Sequence, residues 1–225
     1  MIAVVKVGGT APGAAAQVAA LARAGRQVVV VHGAGPHITA GCIAAGLEPR
    51  FVDGQRVTDD SVMRVVEAAI AEANAALCGE LKAEGVACRP MRDALTAELW
   101  GDNRLGLVGR ITSVEQIGLR ALLAGGIVPV IAPTASGLNV NADNAAAAVA
   151  GALGASELIF LSDVPGLLGP GGEVIRRVTA ASAAQLVASG SITGGMIPKL
   201  DAGLAALADG VWRVWIGAET MVTTA

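Results

Sequence analysis

Residues 1–36 read MIAVVKVGGTAPGAAAQVAALARAGRQVVVVHGAGP, and the fold is decided here. Ile2 to Val7 and Gln27 to His32 are short, β-branched and almost wholly apolar, as strands buried on both faces must be. Between them, Ala14 to Ala24 sets small apolar residues at helical spacing. Parallel strands need a crossover, and a helix of this kind supplies one.

The alternation continues along the chain. Strands are expected at Ile127 to Ala132, Glu157 to Ser162 and Val211 to Ile216. Helices are expected at Ile38 to Ala45, Asp60 to Glu84, Ser113 to Ala124, Ala142 to Leu153, Ala180 to Ser189 and Lys199 to Ala208. This order predicts an α/β protein with a mainly parallel open sheet and helices on both faces. Arg89 to Ile111 breaks the pattern with charges and glycines, and hairpins or loops are expected there. The chain reads as one domain over 1–225, with a lobe boundary in Gly151 to Ser156.

Composition removes several classes of function. Hydrophobic residues are 53% and charged residues 16% of the chain, which excludes a disordered polymer. The mean hydropathy of +0.60 comes from short Ala and Val runs, none near the roughly 20 apolar residues of a membrane helix. A net charge of −3 offers no footprint for nucleic acid. Cys42, Cys78 and Cys88 are scattered, with neither scaffold density nor metal-site spacing, and read as reduced thiols of a cytoplasmic protein. MIAVVKVGG enters a strand directly, without the pattern of a secretory leader.

Chemistry gathers where strands end. Lys6, Gly8 and Gly9 close the first strand, and His32, Gly33, Ala34 and Gly35 close the second. At that edge of a parallel sheet, glycines let backbone N–H groups approach phosphate, although they also make ordinary tight turns. Neither run fits GxGxxG or the common P-loop. Lys6 interrupts a buried strand, where an ammonium needs an anion or must snorkel to the edge. NVNAD places Asn139, Asn141 and Asp143 before a helix. One of them caps that helix, and Asp143 is free to pair with a lysine. LSDVPGLL carries a turn at Ser162, Asp163, Val164, Pro165, Gly166 and Leu167. A later loop with Gly194, Gly195 and Met196 leads to Lys199 at an expected helix start, where a solvated lysine is the plain alternative.

KVGG, VVVHGAGP, FVDGQRVTD, LGLVGRI, IVPVIAP, NVNAD, LSDVPGLL and GSITGGMIPK follow one another in this order. Together they resemble the amino acid kinase family, and within it the N-acetylglutamate kinases, over nearly the whole chain. The resemblance implies a three-layer αβα sandwich of the carbamate kinase type. It implies ATP-dependent phosphorylation of the γ-carboxylate of N-acetyl-L-glutamate, a step of arginine biosynthesis. By the same carry-over, Lys6 and Lys199 neutralise the transferring phosphoryl group and Asp143 holds both. Arg56, Asn139, Ala34 and Gly35 correspond to acceptor-binding positions. Gly8, Gly9, Ser162, Asp163, Val164, Gly166, Leu167, Gly194, Gly195 and Met196 correspond to nucleotide-binding positions. ATP arrives with Mg²⁺ held mainly by its own phosphates, so no protein metal site is expected. Residues 1–153 are the expected acceptor lobe and 154–225 the nucleotide lobe.

An ionised carboxylate, of pKa about 4.3, needs no general base, so the lack of an obvious catalytic histidine is no objection. Family members usually carry three glycines where this chain has Ala34 in the middle, and a left-handed backbone there would be strained. The closing segment AETMVTTA is short, with Thr220 to Val222 as a compressed strand. No extension precedes Met1, which by resemblance implies an arginine-insensitive homodimer. Alternative readings are a kinase for a carrier-linked aminoadipate or glutamate, and a non-catalytic nucleotide-binding member. Trp100, Trp212 and Trp215 are expected to pack rather than react.

Overall fold

The structure is a computed structural model that describes residues 1–8 and 11–224; the Gly9 expectation lies outside the described residues. Elements are numbered along the chain. The central sheet holds β1 (Ile2–Val7), β2 (Gln27–His32), β5 (Cys88–Met91), β8 (Val128–Ile131), β11 (Glu157–Leu161), β12 (Arg177–Thr179), β13 (Arg213–Ile216) and β14 (Thr220–Thr223). Their order is β12-β14-β13-β11-β1-β2-β8-β5. From β13 to β5 every neighbour is parallel, while β14 runs antiparallel to β13 and carries β12 beside it.

Side-chain parity sorts the strand residues between two helical layers. Val5 and Val7 of β1, with Val28 and Val30 of β2, pack under α1 (Ala14–Arg23) and α3 (Asp60–Ala83). Val4, Val29 and Val31 face the other way, against α4 (Gln116–Ala124), α5 (Ala142–Leu153) and α7 (Met196–Ala208). Helices therefore cover both faces, the three-layer arrangement expected. The sheet continues without a break across residues 151–156, from β1 to β11.

Two smaller sheets stand above the C-terminal edge. A hairpin of β3 (Phe51–Val52) and β4 (Gln55–Arg56) turns through Asp53 and Gly54, both with positive φ, a favoured two-residue hairpin turn. β6 (Leu95–Leu99), β7 (Val108–Val114), β10 (Leu138–Val140) and β9 (Thr134–Ala135) form a four-stranded sheet in that order.

Several boundaries differ from expectation. Cys88–Met91 is an edge strand of the main sheet, because backbone pairing with β8 overrides the exposed, proline-containing sequence. Ser113 belongs to β7, and α4 starts only at Gln116, where the Glu115 carboxylate caps it. α2 (Gly35–Ala44) and α7 each begin three residues early, so Lys199 lies inside the first turns of α7. β12 was not foreseen, whereas the compressed closing strand is present as β14. Trp212 is 73% exposed and does not pack as expected.

Candidate active site

Lys6 shares its face of β1 with Val4, and that face looks toward α5. On α5 the Asn141 side chain accepts from the N–H groups of Asp143 and Asn144, a cap worth about 1 kcal/mol. That leaves the Asp143 carboxylate free of the backbone, in a helix first turn that favours negative charge. Lys6 Nζ stands 3.0 Å from Asp143 Oδ1, and Lys199 Nζ donates to Asp143 Oδ2 at 3.4 Å. The Lys6 contact is an ion pair rather than an aligned hydrogen bond. Two ammonium groups thus meet on one carboxylate, all three largely withdrawn from water.

The charges do not cancel, and the excess is positive. Burial holds the Lys6 pKa below its usual value; Asp143 pulls it up and Lys199 pushes it down. A cation in the first turns of α7 also runs against the helix dipole, unless an anion is to bind there. The cluster is incomplete electrostatically until an anion arrives.

Backbone N–H groups converge on the same place. α2 and α7 both point their N-termini into the groove, and both lack a side-chain cap. α3, α4, α5 and α6 (Ala180–Ala188) are each capped by a side chain. α1 is uncapped as well, and at α7 the Met196 and Ile197 N–H groups donate to the Thr193 and Gly194 carbonyls while Pro198 has none, so it is the start of α2, at Gly35, that keeps a donor available for an anion. Gly33 lies against the cluster: a Cβ there would sit in ordinary contact, 3.8 Å from Lys6 Nζ and 3.7 Å from the Ala142 methyl. Ala34 has φ −140°, so the expected strain is absent and its methyl packs between α2 and α3.

One groove of about 420 Å³ joins these parts. Its walls include Lys6, Asp143 and Lys199, then Ala34, Gly35, Arg56 and Asn139 on one side, with Gly8, Ser162, Asp163, Gly195 and Met196 on the other. Arg56 is only 9% exposed. Its Nη2 donates to the Gly35 carbonyl at 3.1 Å and to Thr39 Oγ1 at 2.8 Å, and its guanidinium lies 4.7 Å over the Phe51 ring. Burial lowers its pKa, and Nη1 is buried with no partner among the described residues. A planar donor held this way suits a carboxylate.

Four expected nucleotide positions stand outside this groove. Val164 lines an adjoining cavity of about 470 Å³ with Ser162, Asp163 and Pro165. Gly194 opens toward a separate cleft behind α7. Leu167 is fully buried in the core, and its N–H donates to Thr220 Oγ1 at 2.8 Å. Gly166 packs against the Thr220 side chain, where any Cβ would collide. Sequence reasoning missed Thr58, Phe51 and the Asp53–Gly54 turn. The Asp-Gly pair itself was the signal for that turn.

The amino acid kinase family model matches residues 1–218. The chain belongs to the amino acid kinase family. As a family member it is 40% identical over 232 residues to an acetylglutamate kinase of Cereibacter sphaeroides, covering 96% of this chain and 79% of the relative. The solved structure of smu.665 from Streptococcus mutans UA159 matches this amino acid kinase with a TM-score of 0.93 and 29% identity, covering 100% and 99% of the two chains. The carbamate kinase of Giardia lamblia bound to AMP-PNP has a TM-score of 0.74 at 14% identity, covers 100% and 98%, and shares the fold.

Proposed function

We propose that this amino acid kinase is an acetylglutamate kinase, transferring the γ-phosphoryl group of ATP to the γ-carboxylate of N-acetyl-L-glutamate. The observation that carries the reading is the meeting of Lys6 and Lys199 on Asp143, between the glycine turns and Arg56. The likeness to the Cereibacter enzyme supports the choice of acceptor.

The difficulty of the reaction is electrostatic: a carboxylate must approach a polyanion. The acceptor is already ionised, so an oxygen attacks the γ-phosphorus directly. The new bond joins that oxygen to phosphorus, the bond to the β-phosphate oxygen breaks, and ADP leaves with the electron pair. Lys6 and Lys199 neutralise the phosphoryl oxygens as charge spreads over them, and Asp143 keeps the two ammonium groups aimed. Arg56 Nη1 takes the acceptor's other carboxylate. The N–H groups opening α2 hold the reacting end.

No group of three or more His, Cys, Asp or Glu that could hold a metal occurs among the described residues, and Asp143 is engaged by both lysines. By the family resemblance, Mg²⁺ would enter with the nucleotide, held mainly by its phosphates, and would supply further charge neutralisation there. Residues 1–153 form the acceptor lobe and 154–225 the nucleotide lobe, a division supported by where Arg56 and Ser162 line the groove. Cys42, Cys78 and Cys88 are unpaired, which suits a cytoplasmic enzyme, and the resemblance supports a homodimer.

A hydroxamate assay with ATP across N-acetylglutamate, glutamate and aminoadipate tests the reading. N-Acetylglutamate is expected to give the highest kcat/KM. Preference for another acceptor, or no product with any, overturns it.

A further inference from the structure

Behind the acceptor end of the groove lies a residue that touches no ligand position yet joins both of those that do. Thr58 is fully buried, immediately beyond β4. Its hydroxyl donates to the Arg56 carbonyl at 2.9 Å, and Asn139 Nδ2 donates to Thr58 Oγ1 at 3.0 Å. Its backbone is held equally firmly. The Thr58 N–H donates to the Leu105 carbonyl at 2.9 Å, and the Leu107 N–H donates to the Thr58 carbonyl at 2.6 Å. The Asn139 N–H in turn donates to the Leu107 carbonyl at 2.9 Å.

The direction of this relay is set by chemistry. A carbonyl cannot donate, so the single Thr58 proton is committed to Arg56. Oγ1 must then meet Asn139 as an acceptor, which requires the amide nitrogen on that side and fixes which way the amide faces. Arg56 and Asn139 stand 83 positions apart in the chain, on different small sheets, with no hydrogen bond between them. Thr58 is their common support.

We propose that Thr58 is a positioning residue for acceptor recognition: its hydroxyl orders the Asn139 amide and the Arg56 strand as one unit. The link to the acceptor rests on the functional reading above; the ordering of the amide does not.

Thr58→Val keeps the shape and removes the relay, and Thr58→Ser restores the hydroxyl. The Thr58→Val variant is expected to raise the KM for N-acetylglutamate about tenfold while leaving the KM for ATP within about twofold, and Thr58→Ser to return near wild type. In the protein without substrate, the Asn139 side-chain N–H that meets Thr58 is expected to resonate downfield and exchange slowly with water in wild type and Thr58→Ser. In Thr58→Val it should move upfield toward the free-amide position and exchange faster. An unchanged acceptor KM in Thr58→Val overturns the proposal. So does a rise in both KM values that follows a fall in melting temperature and is shared by Thr58→Ser, or an amide N–H indifferent to the hydroxyl. If wild type does not phosphorylate N-acetylglutamate but the amide N–H responds, the functional reading fails and the positioning role stands.

Discussion

Lys6 and His32 lie at the ends of adjacent strands but on opposite faces of the sheet, and this parity gives them different chemistry. Lys6 meets Asp143 and Lys199, where transition-state charge would collect. Lys6→Ala is expected to lower kcat about 10²- to 10³-fold with a much smaller change in either KM, as for loss of one aimed charge stabiliser. Steady-state kinetics with undiminished turnover would refute the role. His32 points toward α3, where Nε2 faces the Asn74 amide at 2.9 Å. That amide also donates to the Val130 carbonyl at 3.1 Å. Burial depresses the His32 pKa from 6.5 to about 4, with the Gly33 backbone acting weakly the other way. Between those values the unfolded imidazole carries a proton that the folded one lacks. Stability is therefore complete above pH 6.5, declines as pH falls toward 4, and loses about 3 kcal/mol over the window. Urea titrations at pH 7 and pH 4.5 should show a fall in wild type that is smaller in His32→Gln; equal falls would remove His32 as the cause.

Among the elements, the chain beyond β4, β10 and the 105–107 segment cross closely at the acceptor end. Gly106 has φ +68°, and a Cβ there would collide with the Thr58 carbonyl oxygen. Both strain and contact oppose any side chain, so Gly106→Ala is expected to cost about 2 kcal/mol or more. Thermal denaturation should show a melting temperature lower by roughly 4–8 °C. A variant as stable as wild type would mean that the crossing relaxes freely. The sequence run LGLVGRI carries this glycine, yet its need is not local: the obstructing carbonyl lies 48 positions earlier. Helices were easier to read, because α3 and α5 announce themselves with capping Asp59 and Asn141 and apolar stripes. Edge strands β5 and β12 were not legible, since they borrow their order from neighbours rather than from their own side chains.

At the scale of the molecule, one groove draws walls from residues 6 to 199 across an unbroken sheet. A ligand that bridges those walls stabilises the native state by mass action. With ATP and Mg²⁺ at about 100 times Kd, the gain is about 2.7 kcal/mol, or a rise of roughly 5–10 °C in melting temperature for a chain of this size. Differential scanning fluorimetry checks this, and no rise at saturating nucleotide would separate the groove from ATP binding. The primary structure by itself determined the parallel α/β class and the placement of glycine turns at strand ends. It also determined the burial of a lysine in an apolar strand, because periodicity and desolvation act over a few neighbouring residues. The tertiary structure alone decided that Lys6 and Lys199 share one carboxylate, that Ala34 needs no left-handed backbone, and that Thr58 ties Arg56 to Asn139. Those facts depend on distances between residues remote in the chain, which only the packing of the helices and small sheets on the central sheet can set.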